Sequence, residues 1–185
     1  MEQFVTALDW LQQRALTGRG GAQYIYAYAF DLWQTGQPTH KESAALMWLY
    51  GKLTIRVDAA RCADQRAPET KMMKWESQLT NIQDYYQQLD AEQKAKLANL
   101  ALQFEEKNSD RKHDAWLCSG GLSFMKRYFE KHGDASSSKE AIDPLSGEKV
   151  TVLKDDEIRP EFISDADWQQ KRAEVIGGFK KQFLQ

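Results

Sequence analysis

Cys118 is the residue that the sequence places best for nucleophilic chemistry. It precedes Gly120 and Gly121 at a predicted helix start, where the helix dipole would lower the pKa of a thiol, and His113 is the local candidate base. A cysteine-dependent enzyme using Cys118 is therefore one alternative for this chain. Burial is the competing interpretation, because cysteine is among the residue types most often found inside proteins.

No other sequence pattern is typical of a reactive site. The histidines His40, His113 and His132 lie in separate turns, and neither CxxC nor HExxH occurs. The paired glycines follow no predicted strand and match neither GxGxxG nor a P-loop, so they are interpreted as turns or close-packing positions. We therefore expect no catalytic residue, no cofactor and no metal, and a chain that is not an enzyme.

Composition and charge exclude several partner classes. The net charge of −2 gives no basic surface for a phosphate backbone, so we expect no nucleic acid partner. No stretch approaches the length of a membrane-spanning helix, so we expect no membrane partner either. The 42% of hydrophobic residues among 185 suffices for a folded domain with its own core.

The N-terminal residues lack the basic start and apolar run of a secretory signal. We therefore expect a cytoplasmic protein in which Cys62 and Cys118 are reduced. Removal of a signal peptide ahead of Met1 would instead make a Cys62–Cys118 disulfide possible, but the sequence gives no distance between the two sulfur atoms.

The apolar spacing predicts an all-α fold of about seven helices in one domain. A helical repeat-like domain is expected over 1–133, a loop or small β-hairpin over 134–163, and a C-terminal helix over 164–185 that packs on the same domain. The third helix, roughly 41–57, is apolar nearly all round, which marks it as central and buried. A regular stripe from Met72 to Leu89 predicts one further helix facing the core.

Helix ends are predicted from local capping signals. Asp90 with Gln93 forms a capping box pattern, and Ser164 with Asp167 marks the start of the last helix. Gly133 is a suitable C-terminal cap.

Two apolar helices joined by a short turn occupy residues 21–50, the most distinctive part of the chain. Small and aromatic residues recur there at fixed steps, and the turn contains Gly36. The residues that carry this pattern are Ala22, Tyr26, Ala27, Phe30, Thr35, Gly36, Ala45 and Trp48. The segment resembles one degenerate copy of the Sel-one-like repeats, relatives of the tetratricopeptide repeat, although Ala27 replaces the usual glycine. The resemblance implies a helical binding fold, a groove filled by Tyr26, Phe30 and Trp48, and no enzymatic activity.

Two sets of residues are candidate partner-binding positions. Tyr24, Tyr28 and Asp31 lie on one stripe of the second helix, offset from the packing positions, where they would either form a contact surface or pack against another helix. Arg56 and Arg61 belong to a charged cluster at the end of the third helix; a solvated ion network is the competing interpretation.

These features favour a protein-binding module over an enzyme. Small, aromatic-rich helical proteins of this kind are similar in character to bacterial toxin-immunity proteins, so the sharpest expectation is a cytoplasmic immunity protein that covers a cognate toxin by steric binding. An adaptor or assembly factor is the alternative within the binding class. A structural subunit of a larger assembly is a third possibility, and it predicts an exposed apolar patch.

Overall fold

The computed structural model describes residues 2–18, 21–112, 115–133, 138–142, 149–153 and 159–184. These residues form eight α-helices and one antiparallel two-stranded hairpin, which agrees with the expected all-α class. The helices are α1 (Glu2–Leu16), α2 (Gly21–Gln34), α3 (Pro38–Ala59), α4 (Glu69–Ser77), α5 (Thr80–Gln88), α6 (Ala91–Lys107), α7 (Leu122–His132) and α8 (Asp165–Phe183). The strands are β1 (Ser138–Ile142) and β2 (Lys149–Leu153).

Helix α3 lies at the centre of the fold, as its all-round apolar pattern predicts. It packs against α2, α5, α6 and α8. Gly51 permits a close approach of α2 to α3, because a Cβ built there would lie 2.8 Å from the ring of Tyr26 on α2. The ring occupies the space that a larger residue at 51 would fill, so α2 and α3 form a tightly packed pair.

The capping predictions are confirmed. The Asp90 side chain accepts from Gln93 N at 2.8 Å at the start of α6, and Ser164 accepts from Asp167 N at 3.2 Å at the start of α8. Gly133 has φ of 68° after α7, a conformation in which glycine is favoured.

The single helix predicted over the stripe from Met72 to Leu89 is wrong. The chain breaks at Gln78 and Leu79 into α4 and α5, which gives eight helices instead of about seven. Leu79 has φ of −115° at the break and is buried, and Ile82 and Tyr86 continue the buried face in α5. The stripe faces the core as expected. The apolar spacing did not reveal the break between α4 and α5, because the same face is buried on both sides of it.

A hairpin is present where a loop or small hairpin is expected. Strand β1 pairs with β2 in antiparallel register, with Ser138 opposite Leu153 and Ile142 opposite Lys149. The chain then enters α8, which packs on α3 and α6. The Trp168 indole nitrogen donates to the Val57 carbonyl oxygen at 3.3 Å and so ties the start of α8 to α3.

None of the helices in the described part of the chain is both long enough and apolar enough to cross a lipid bilayer.

Candidate interaction surface

The candidate partner-binding residues differ in exposure. Tyr28 and Arg61 are buried, at 7% exposed each, whereas Tyr24, Asp31 and Arg56 are half-buried. Tyr28 and Arg61 therefore belong to the interior and do not form an exposed contact surface. Of the two alternatives for Tyr28, a contact surface or packing against another helix, the structure shows packing.

Arg61 and Arg56 have different neighbours within the fold. The Arg61 guanidinium carbon lies 3.3 Å from the centroid of the Trp168 ring, where α8 covers the end of α3. Arg56 lies 3.8 Å from a Glu76 carboxylate oxygen on α4. A surface arginine pair of the expected kind is thus not present, because α8 covers Arg61 and leaves only Arg56 partly open to solvent.

The groove expected from the repeat resemblance is filled only in part. Tyr26 and Trp48 are buried, but Phe30 is 41% exposed, so its expected packing role is wrong. The buried face of α2 instead runs through Ile25, Ala29 and Leu32. Because α2 is apolar on most of its circumference, its sequence did not reveal which apolar face would be covered.

A half-exposed cluster of aromatic and cationic groups joins α1 to α2. It consists of Trp10, Arg14 and Tyr24, named here the α1–α2 surface. The rings of Trp10 and Tyr24 meet edge to face with centroids 5.5 Å apart. The Arg14 guanidinium carbon lies 4.4 Å from the Trp10 centroid and 5.3 Å from the Tyr24 centroid, within cation–π range of both.

The side chains of the α1–α2 surface are partly exposed to solvent and also contact one another. Trp10 is 47% exposed although it contacts both neighbouring side chains, and Arg14 and Tyr24 are half-buried. Trp, Tyr and Arg are the residue types that most often supply binding energy at protein interfaces. Sequence reasoning identified Tyr24 but missed Trp10 and Arg14. Their i, i+4 spacing, off the Leu8, Leu11 and Ala15 core stripe, was the available signal.

Acidic groups flank the same side of the helix pair. Burial raises the pKa of the Tyr28 hydroxyl, and the nearby Asp9 carboxylate raises it further. Burial also raises the pKa of the Asp31 carboxyl group, with which no described basic side chain forms an ion pair. The vicinity of the α1–α2 surface is therefore of mixed charge and is not a basic patch.

The charged cluster at the end of α3 is solvated only in part, because Asp58 and Arg61 are buried whereas Arg56 and Asp64 are half-buried. Its buried part belongs to an ion network inside the fold. Arg111 donates to both Asp58 oxygens, at 2.7 and 3.2 Å, and to a Glu105 oxygen at 2.9 Å. Asp58, Glu105 and Arg111 have side chains 5% or less exposed. Arg172 of α8 approaches Glu105 at 3.7 Å from the other side.

Burial raises the pKa of both carboxyl groups in this network, while the Arg111 guanidinium lowers it. Asp58 and Glu105 in turn raise the pKa of Arg111, which keeps the guanidinium charged. Because these groups are closed off from solvent, the network links α3, α6 and α8 and offers no open site, although Glu105 Oε1 and Arg172 Nε form no hydrogen bond with the described residues.

The expectation of reduced thiols is wrong. Cys62 and Cys118 form a disulfide across 56 residues, with Cα atoms 5.1 Å apart. Both cysteines are buried, so Cys118 is neither a free thiol nor accessible, and the nucleophile alternative is not supported. The candidate base His113 lies outside the described residues.

Polar contacts hold the disulfide-linked segment to the preceding loop and to α4. The Lys71 ammonium group donates to the Trp116 carbonyl oxygen at 2.7 Å. Asp64 accepts from Ser123 N at 2.9 Å and so caps α7 from 59 positions away in sequence. This backbone hydrogen bond is the largest cause of the lowered Asp64 pKa.

Within the described ranges, no group of three or more His, Cys, Asp or Glu side chains is arranged to hold a metal ion.

Comparison of the chain with known proteins gives no match among family models, curated proteins or solved structures.

Proposed function

We propose that this chain is a non-enzymatic protein-binding module that holds its partner at the α1–α2 surface. The observation that carries the proposal is the Trp10–Arg14–Tyr24 cluster, which presents a 47% exposed tryptophan beside a half-buried arginine and tyrosine. Such groups bind tightly because their orientation is already restrained before a partner arrives. The resemblance of α2 and α3 to a Sel-one-like helix pair supports the same role.

More specifically, we propose that the partner is a bacterial toxin and that the chain is its immunity protein. Binding would neutralise the toxin sterically, by covering its active site or by holding it away from its target. The small size, helical fold and aromatic content of the chain support this version by analogy. A stable adaptor or assembly factor is the alternative, and it would bind a partner that is harmless alone.

We propose that this binding takes place in an oxidising compartment, such as the bacterial periplasm, and not in the cytoplasm expected from the sequence. The buried Cys62–Cys118 disulfide supports this, since disulfides persist in such compartments and are rare in the reducing cytosol. Thiol alkylation before and after reduction, on protein from the source organism, tests it. Cysteines that are alkylated without reduction would contradict it.

The function is tested by affinity capture from the source organism with three baits. The wild-type chain and a Phe129→Ala variant should retain one stoichiometric partner, and a Trp10→Ala, Tyr24→Ala variant should lose it. Phe129 is a matched control because it is an aromatic side chain 42% exposed on α7. Loss of the partner from the Phe129 variant alone would contradict the assignment of the surface.

The identity of the partner decides between the immunity and adaptor versions. For an immunity protein, expression of the captured partner alone should arrest growth, and co-expression of this chain should restore it. A partner that is harmless alone would contradict the immunity version and favour the adaptor.

A further inference from the structure

We infer that Arg14 binds a carboxylate of the partner, so that the partner presents an Asp or Glu side chain beside an apolar group that packs on Trp10. This inference rests on the proposed binding function and adds the chemistry of the recognised group. It is drawn from the environment of Arg14, which differs from that of the other well-packed arginines.

The described neighbours of Arg14 restrain it without pairing it with a carboxylate. Trp10 and Tyr24 lie within 4.4 and 5.3 Å of the guanidinium carbon, measured to the ring centroids. Aromatic contacts of this kind attract the guanidinium charge without supplying the carboxylate oxygens that its N–H groups can bind in pairs. A restrained fork of N–H donors matches the two oxygens of a carboxylate.

Arg14 differs from the arginines of the fold that form ion pairs, because no described carboxylate pairs with it. Arg111 pairs with Asp58, Arg127 with Glu161 at 2.6 Å, and Arg172 with Glu106 at 3.1 Å. By contrast, no carboxylate of the described residues lies within ion-pair distance of Arg14. The Arg14 guanidinium is thus held in a half-buried position, where a carboxylate of a partner could form an ion pair with it.

The charges nearby favour a single carboxylate over a phosphate or a polyanion. Asp9 lies on α1 near Tyr28, and Asp31 follows Tyr28 by one turn of α2. These carboxylates would repel a ligand that carries several negative charges, and the chain as a whole has a net charge of −2. A partner side chain carries one charge and can keep a basic neighbour opposite Asp31.

The inference is tested with a random 12-residue peptide display library, panned on the wild-type chain and on four variants, one of which is Trp10→Ala. On the wild type we expect enrichment of peptides with Asp or Glu next to an aliphatic or aromatic residue. Arg14→Gln should abolish this enrichment, and Arg14→Lys should weaken it because the ammonium group lacks the fork. Arg66→Gln, at an exposed arginine outside the α1–α2 surface, should leave it unchanged.

A synthetic peptide from the selection then gives the magnitude. Its affinity should fall about tenfold to a hundredfold for Arg14→Gln, and by a similar factor when its acidic residue is replaced by the amide, as expected for a charge-assisted hydrogen-bonded pair. The effect of the two changes together should be no larger than that of either one, because they remove the same contact.

The outcomes separate this inference from the function on which it rests. Peptides that depend on Trp10 but bind Arg14→Gln equally well would overturn the carboxylate inference and leave the surface in place. Peptides that are indifferent to both Trp10→Ala and Arg14→Gln would overturn both. A library that yields no acidic peptide dependent on Arg14 would also contradict the inference.

Discussion

Arg111 and Arg14 are both held by neighbouring side chains, but only Arg111 meets carboxylates within the fold. Arg111 lies inside the helical body and donates to Asp58 and Glu105, at 2.7 and 2.9 Å. Arg14 lies at the edge between α1 and α2 and contacts two aromatic rings. An arginine whose N–H groups bind carboxylates within the fold therefore stabilises the fold. An arginine without such carboxylates is available to bind a partner.

The comparison also indicates where mutations should act. Removal of Arg111 takes the main hydrogen-bond donor away from two buried carboxylates, which lowers stability whatever the chain binds. Removal of Arg14 leaves two rings that still contact each other, with centroids 5.5 Å apart, so the fold should tolerate it. Stability and binding should thus depend on different arginines.

The largest expected effect is that of Arg111→Ala. The substitution removes the guanidinium that donates to the buried Asp58 and Glu105 carboxylates, and we expect the free energy of unfolding to fall by about 3–5 kcal/mol. Urea denaturation followed by circular dichroism measures it. Lys126→Ala is the control, because Lys126 forms an exposed i, i+4 pair with Glu130 and should change stability by less than about 0.5 kcal/mol. Equal losses of stability for Arg111→Ala and Lys126→Ala would contradict the expectation that the buried ion pairs contribute more than the exposed one.

The second effect is that of replacing Cys62 and Cys118 together by alanine. Opening a loop of 56 residues should lower the free energy of unfolding by about 2–4 kcal/mol. Neither cysteine belongs to the α1–α2 surface, so partner or peptide binding by the folded fraction should remain. Loss of binding in this variant, at a temperature where it is folded, would contradict this expectation. It would show that the binding site depends on the segment linked by the disulfide.

A smaller effect is expected for Asp64→Ala, which removes the cap of α7. We expect a loss of about 1 kcal/mol at pH 7, because Ser123 N loses its acceptor. The native pKa of Asp64 is lowered from 3.8, so its contribution is fully present above pH 3.8 and is lost as pH falls through the lowered native pKa.

The difference between Asp64→Ala and wild type should therefore shrink in strong acid, as chemical denaturation at several pH values would show. Asp64→Asn, which keeps an acceptor oxygen, is the milder control. A difference that does not change with pH would mean that the charge of Asp64 plays no part.

The smallest effect on stability is that of Arg14→Gln. Only the cation–π contacts of a half-buried arginine are lost, worth about 1 kcal/mol, so the melting temperature should change little while binding falls. A large loss of stability would place Arg14 in the same structural class as Arg111 and weaken the comparison.

Local features could be predicted from the sequence, since they depend on residues a few positions apart. The Asp90 and Ser164 caps and the buried α3 are of this kind. Contacts between distant segments could not be predicted: Arg111 meets Asp58 across 53 positions, and Asp64 meets Ser123 across 59. No local pattern distinguishes such residues from solvated surface charges.

The candidate site was only partly predictable for the same reason. The stripe through Tyr24 and Tyr28 was identified, but α2 is apolar on most sides, and Tyr28 proved to be buried whereas Phe30 is exposed. Trp10 and Arg14 form one spacing signal on α1, yet the surface exists only because α2 brings Tyr24 beside them. Which apolar face is covered depends on the partner helices, not on the helix itself.

The most direct test of the α1–α2 surface is site-specific photo-crosslinking in living cells. A benzoylphenylalanine is introduced at Gln13, an exposed position next to Arg14, or at Lys126, whose side chain is 77% exposed on α7. We expect a protein adduct to form from position 13 and not from position 126. An adduct from position 126 alone would contradict it and move the partner to α7.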